Sequence, residues 1–293
     1  MAEPLDWETD GAGWPHRAHS GFVEADGSRF HVQRMGAGPT ALLIHGVGAS
    51  THSWADLLPL MAETHDAIAF DLPGHGFTQA RRGFVATPMN VARATAALLD
   101  ALGAKPDLVI GHSAGAAVML RMIVDGDAAP ARAGSVNGAL MPFDGAASVA
   151  FPMMAKALHY NPFAAVLFSR AAREVRRVER LIAGTGSTAP PDAIARFTML
   201  FRNTRHVSGA LAMMAIWDLT RTPDDLRKLT TPALFIAGEK DRAVPPADAD
   251  RAAALAPAGE SAILAGLGHL AHEEDASRVL RAILGSDVVA AAS

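Results

Sequence analysis

Ser113 stands in Gly111-His112-Ser113-Ala114-Gly115, between a short apolar run at 108–110 and an Ala-rich helical stretch at 114–124. A serine on a sharp strand-to-helix turn, with glycines two residues away so that strand and helix can close, presents a nucleophilic hydroxyl. The helix starting at Ala114 would aim its N-terminal amides at a developing oxyanion. Such a hydroxyl needs a base to take its proton and an acid to hold the base. In this arrangement the acid and then the base follow the nucleophile along the chain. His159, His206, His269 and His272 are downstream of Ser113. His269, in Leu267-Gly268-His269 just after the apolar residues at 261–264, is the candidate base. His159 and His206 precede any acid in the late part of the chain. His272 lies three residues beyond His269, but the pair lacks a third ligand at metal-site spacing. Asp241, in Gly238-Glu239-Lys240-Asp241 after the apolar run 233–237, is the candidate acid; Asp144 is its rival, and pairing with Lys240 or Arg242 is the plainer fate of Asp241.

An oxyanion hole takes two amides, one after the nucleophile and one from an earlier loop. Ala114 supplies the first. Val47, in His45-Gly46-Val47-Gly48, is the candidate for the second. His45 and His75 read as loop-bracing residues, whereas His112, beside the nucleophile, is a candidate to touch substrate.

These residues need a scaffold that brings distant loops to one edge. Residues 20–33 alternate apolar and polar types around Asp26-Gly27, a β-hairpin signature. Short apolar runs at 41–44, 67–70, 108–110, 135–140, 233–237 and 261–264 read as buried strands. Helical spacing recurs at 89–102, 114–124 and 278–284. The alternation predicts an α/β fold, a mostly parallel central sheet with helices on both faces. Residues 141–220 interrupt it without a strand candidate, and they hold six of the twelve Met and six of the twelve Phe. They also carry nine Lys/Arg against five Asp/Glu. We read 1–140 and 221–293 as the core and 141–220 as a helical cap, with Met153, Met154, Phe163 and Trp217 as candidate pocket-lining residues. Arg170, Arg173, Arg176, Arg177 and Arg180 read as one helix face, solvated or contacting an anion. The Ala-rich residues 288–293 read as a frayed tail.

The chain has 293 residues, a formal charge of −4 and no cysteine. That modest charge does not suggest nucleic-acid binding, and the lack of Cys excludes disulfides and thiolate chemistry. No apolar run approaches the ~20 residues of a membrane span, and the polar, acidic first ten residues do not resemble a signal peptide. The expectation is a cytoplasmic protein. No motif here calls for a cofactor or metal.

His45-Gly46-Val47-Gly48, Asp71-Leu72-Pro73-Gly74-His75-Gly76, the Ser113 elbow, Gly238-Glu239-Lys240-Asp241 and Gly268-His269 occur together and in this order. In that order they resemble the α/β-hydrolase fold family over nearly the whole chain. Trp14-Pro15-His16-Arg17, His31-Val32-Gln33-Arg34, the run 48–54, the run 71–78 and Asn137-Gly138-Ala139-Leu140 carry a closer resemblance. It is to the magnesium-chelatase accessory proteins of bacteriochlorophyll biosynthesis. That resemblance implies a tetrapyrrole as the apolar substrate or ligand and magnesium chelatase subunits as partners. The readings this leaves are a serine hydrolase of an ester, thioester or activated C–C bond, a porphyrin-binding accessory protein with a vestigial triad, and a cofactor-free haloperoxidase or perhydrolase. A dehalogenase would need a carboxylate at position 113.

Overall fold

The computed structural model describes residues 3–142 and 147–285, with backbone alone for 147–152. Asp144 and the tail at 288–293 lie outside the described residues, as does the side chain of Phe151. Eight strands form one sheet in the order β1-β2-β4-β3-β5-β6-β7-β8. β1 (Ser20–Ala25) and β2 (Ser28–Met35) are the expected hairpin, closed by Asp26 and Gly27 at φ 48° and 67°. β2 also pairs antiparallel with β4 (Asp66–Phe70). β3 (Thr40–Ile44), β5 (Pro106–His112), β6 (Arg132–Val136), β7 (Ala233–Gly238) and β8 (Gly259–Leu264) complete a parallel block with β4. A parallel block puts the carboxyl ends of its strands, and the loops that follow, along one edge.

Both faces of β3 are covered, which is why residues 41–44 are all apolar. Leu42 and Ile44 pack in one cluster with Val91 and Leu98 of α2 (Pro88–Leu102) and Val118 and Met122 of α3 (Ala114–Asp125). Ala41 and Leu43 belong to the other, with Met61 of α1 (Leu57–Ala62) and Val279 and Ile283 of α12 (Ala276–Leu284). Each such fully buried Leu, Ile or Val contributes roughly 1.5–3 kcal/mol over an exposed one. α2 starts on a Thr87 cap that accepts from Asn90 N–H and ends at Gly103 in the left-handed region.

β6 departs from expectation. The sequence suggested 135–140, but the strand spans Arg132–Val136 because Asn137 takes φ 48° and turns the chain out of the sheet. Beyond it, and as far as β7, the described residues hold helices and no strand. These are α4 (Ala147–Tyr160), α5 (Ala164–Ala171), α6 (Val175–Gly184), α7 (Pro191–Arg202), α8 (Thr204–Ile216) and α9 (Thr222–Leu226). The arginines expected on one helix are divided: Arg170 is on α5, Arg173 lies in the turn after it, and Arg176, Arg177 and Arg180 are on α6. Arg173 and Glu174 N–H groups bond back three residues, to Arg170 and Ala171 carbonyls, and that tight turn ends α5. α10 (Ala247–Leu255) and α11 (Ala271–Glu274) flank β8.

Six buried histidines, His45, His52, His75, His112, His206 and His272, have their pKa lowered, in each case chiefly by burial. His206 is taken to about 4 and His272 to about 3. Below 6.5 the unfolded chain therefore binds more protons than the fold, so stability falls as pH falls. Glu273 acts oppositely: burial raises it to about 8, so its contribution is lost as pH rises from its ordinary 4.5 towards 8. The urea midpoint should be highest near neutral pH and decline steadily from pH 6.5 to 4. A midpoint that is flat or rises over that interval contradicts the neutral imidazoles.

Candidate active site

Ser113 joins β5 to α3 at φ 50°, ψ −118°, a conformation that L-residues with a Cβ rarely hold. The turn is possible because its neighbours are bare. A Cβ on Gly111 would come within 2.5 Å of Ala116 Cα, and one on Gly115 within 2.2 Å of the Ile44 carbonyl oxygen. The turn is pinned by Ser113 N–H donating to Val136 O (3.1 Å), while the Ser113 carbonyl accepts from Ala116 and Ala139 N–H groups. Its hydroxyl thus sits at the head of α3, where the first N–H groups lack intrahelical acceptors.

The loop after β3 lies against this turn. A Cβ on Gly46 would stand 2.9 Å from both Ser113 Cβ and His112 Nδ1, so the backbone leading to Val47 passes directly beside Ser113. His45 braces the loop as expected: Nδ1 donates to Gly46 O (2.7 Å), and Nε2 accepts from Leu72 N–H (2.8 Å). Asp71 ties three segments together, meeting His31 Nδ1 (2.9 Å) and accepting from Thr51 and Phe77 N–H groups. Burial would raise its carboxyl, but His31 beside it, with His45 and the Thr51 N–H, outweighs that and holds it well below the carboxylate range.

Asp241 and His269 meet. Nδ1–H of His269 donates to Asp241 Oδ2 (2.8 Å), leaving Nε2 with its lone pair free. Asp241 Oδ2 also accepts from Asn137 Nδ2 (2.8 Å), and Oδ1 accepts from Ala243 and Val244 N–H groups. The carboxylate is therefore saturated by these partners, and Lys240 and Arg242 are not among its hydrogen-bond donors. Among the described residues the Ser113 hydroxyl makes no hydrogen bond to His269. Such bonds are often long or misaligned until substrate binds.

His269 is fastened on both sides in sequence. Gly268 O accepts from Asn137 Nδ2 (3.2 Å), Gly268 N–H donates to Glu274, and Leu270 N–H donates to Ser187 Oγ (2.8 Å). Asn137 thus touches both Asp241 and the loop that carries His269. Asn is a type suited to positive φ, but this one lay inside the run 135–140 read as a strand, and nothing in the spacing tied it to Asp241.

The structure separates His269 from its rival. His272 Nε2 meets Ser53 Oγ (2.8 Å), and the Ser53 hydroxyl also bonds Glu273. With Glu273 raised to about 8 it is protonated at neutral pH, whereas His269 faces a bonded carboxylate. His112, expected against substrate, is only 2 % exposed and sandwiched between the two, with ring centroids 4.9 Å from His269 and 4.3 Å from His272. Its Nε2–H donates to the His269 carbonyl (3.0 Å), so it braces His269 from below.

Met153, Met154 and Phe163, expected to line a pocket, are 65 %, 54 % and 67 % exposed. Their stretch of chain buries small residues instead, Ala155, Ala164, Ala165 and Ser169. Trp217 is half-buried against the core that includes Leu140 and Met213. The residues that reach the loop after β3 come from α7 and α8: a Cβ on Gly48 would lie 3.6 Å from the Phe201 ring. His206 Nε2–H donates to Gly48 O (3.1 Å), while Nδ1 accepts from Gly76 N–H (3.0 Å). His206 was a rejected base; its structural task could not be read from its position in the chain.

The family model of the alpha/beta hydrolase family matches residues 41–282. The chain is 37 % identical over 266 residues to the magnesium-chelatase 30 kDa subunit of Rhodobacter capsulatus, covering 89 % of this chain and 92 % of that one. It is 28 % identical over 266 residues to the pimeloyl-[acyl-carrier protein] methyl ester esterase of Xylella fastidiosa (strain M12), covering 86 % and 96 %. An alpha/beta hydrolase fold protein from Burkholderia ambifaria superposes with TM-score 0.77 at 20 % identity, over 97 % of this chain and 99 % of that one. The likeness bears out the fold expected from the ordered motifs.

His206→Ala would leave the Gly48 carbonyl and the Gly76 N–H unpaired. A loss of about 1–3 kcal/mol in urea denaturation is expected; a change below about 0.5 kcal/mol would mean that the clip carries no load.

Proposed function

The chain belongs to the alpha/beta hydrolase family, and on that premise we propose that it is a serine hydrolase cleaving an ester, thioester or activated C–C bond with Ser113, His269 and Asp241. The observation that carries this reading is the Asp241–His269 bond at 2.8 Å beside a serine held at φ 50°. For an acyl substrate, Ser113 Oγ attacks the carbonyl carbon as His269 Nε2 takes its proton. Asp241 holds the Nδ1–H tautomer and stabilises the imidazolium that forms. The carbonyl π pair moves onto oxygen, and the Ala114 and Val47 N–H groups receive that oxyanion. Its collapse expels the leaving group, which takes the proton from His269. Water, deprotonated by the same imidazole, then hydrolyses the acyl-enzyme and frees Ser113.

Helices α4–α8 act as a cap. Its seating supports the oxyanion loop through His206 and the base loop through Ser187. The esterase relative supports acyl chemistry, and the magnesium-chelatase relative supports a role beside that enzyme with a tetrapyrrole as substrate or ligand. A porphyrin-binding protein with an idle triad is the reading to set against catalysis. An intact acid–base pair and a strained serine favour turnover over it, and a perhydrolase would announce itself by forming peracid from acetate and peroxide.

With short p-nitrophenyl esters, Ser113→Ala and His269→Ala should each lower kcat about 10³-fold or more. Asp241→Asn should lower it comparably with KM little changed, because the wrong tautomer is then favoured. Wild-type turnover in Ser113→Ala would refute the proposed nucleophile. Tetrapyrrole binding that survives that substitution, in a wild type without esterase activity, would support the idle-triad reading.

A further inference from the structure

The outward faces of α4 and α5 carry an apolar surface that the site does not use. Seven of the twelve large hydrophobic residues found exposed among the described residues fall between 153 and 168. Met154 and Leu158 lie one turn apart on α4; Phe163 and Leu167 repeat that spacing at the start of α5. Tyr160, 75 % exposed, stands between them at the end of α4. The turn joining the helices is fixed by Phe163 N–H donating to Asn161 Oδ1 (2.9 Å). An exposed apolar surface of this extent marks a place where something binds.

Its charge narrows the occupant. Residues 153–173 include Lys156, Arg170 and Arg173 and no Asp or Glu, in a chain whose net charge is −4. All three cations are exposed. A second copy of this face would set these cations against their own kind in an isologous contact. An acidic protein surface would answer the same cations, and it is the alternative that failure to bind protein-free anionic vesicles would leave. Aromatic and aliphatic groups beside cations suit the boundary between acyl chains and anionic headgroups.

We propose that α4 and α5 dock the protein on the surface of an anionic lipid bilayer. Met154, Tyr160, Phe163 and Leu167 enter the interfacial layer, and Lys156, Arg170 and Arg173 lie at the headgroup phosphates. The docking is peripheral, since no helix among the described residues is long and apolar enough to cross a membrane. It is independent of the reaction proposed for Ser113.

The test is co-sedimentation of the full chain with phosphatidylcholine vesicles and with vesicles that also contain phosphatidylglycerol. The protein should pellet with the anionic vesicles, release as salt rises, and stay in the supernatant with phosphatidylcholine alone. Arg170→Gln/Arg173→Gln should lower the partition coefficient about 25-fold, at about fivefold per cation. Phe163→Ser/Leu167→Ser should also abolish pelleting. Thermal melts report folding, and Met153→Ser/Met154→Ser probes the same surface should either pair unfold. No pelleting with anionic vesicles, equal binding to both vesicle types, or wild-type binding by folded variants overturns the proposal. So does a dimer in sedimentation equilibrium that Phe163→Ser/Leu167→Ser dissolves, since the occupant would then be a second copy.

Discussion

Ser113 holds φ 50° and ψ −118°, a conformation that costs of order 1–3 kcal/mol and persists only when its surroundings over-determine it. Those surroundings are identifiable. β6 fixes the turn from one side through Val136 O, and the loop after β3 closes it from the other through Gly46. α3 can leave the turn only because Gly115 lets it touch the Ile44 carbonyl. The parallel order β3-β5-β6 is what places these three segments next to one another. Each of the remaining loops is then fastened to this one point. Asp71 and His45 hold the loops after β3 and β4, while Asn137 holds Asp241 and the loop that carries His269.

Beneath the site lies a row of mutually tilted rings, His269, His112, His272 and Trp54, with successive centroids 4.9, 4.3 and 4.5 Å apart. Imidazoles this close in a buried space are tolerable only if they remain neutral. His112 is kept so chiefly by burial, with His272 and His269 beside it adding to the effect. The carboxyl nearest His272 is itself held protonated at neutral pH by burial. His269 differs from its neighbours in having Asp241 on its far nitrogen. Proton transfer to His269 therefore creates a charge next to a carboxylate, whereas transfer to His272 would create one without such support. Residues between β6 and β7 also reach these loops, His206 bonding the Gly48 carbonyl and Ser187 the Leu270 N–H.

The parts of the fold legible in the sequence were those with a strong local cause. Residues 41–44 and 67–70 read as strands because burial on both faces demands unbroken apolar runs, and Asp26-Gly27 read as a hairpin because the turn demands positive φ. The elbow was legible for the same reason: its glycines answer a local steric demand. β6 was misplaced because Gly134 and Ser135 carry little strand signal, and the apolar Ala139 and Leu140 beyond Asn137 drew the boundary onward. Asn137 and His206 escaped notice as working residues because their partners lie 104 and 158 positions away, distances over which spacing carries no information. Residues 141–220 were legible only in part. Met and Phe at helical spacing predict an apolar face but not which side of the helix has a partner. α7 buries Phe197 and Leu200, while Met153, Met154 and Phe163 face outward.

The central claim is that Ser113 is an activated nucleophile. Intact-mass analysis of the folded protein after treatment with a fluorophosphonate tests it most directly, with peptide mapping to locate any adduct. The account predicts one adduct per chain, on Ser113, absent in Ser113→Ala and formed far more slowly in His269→Ala. A folded wild-type protein that takes no adduct, or takes it on another residue, would contradict it.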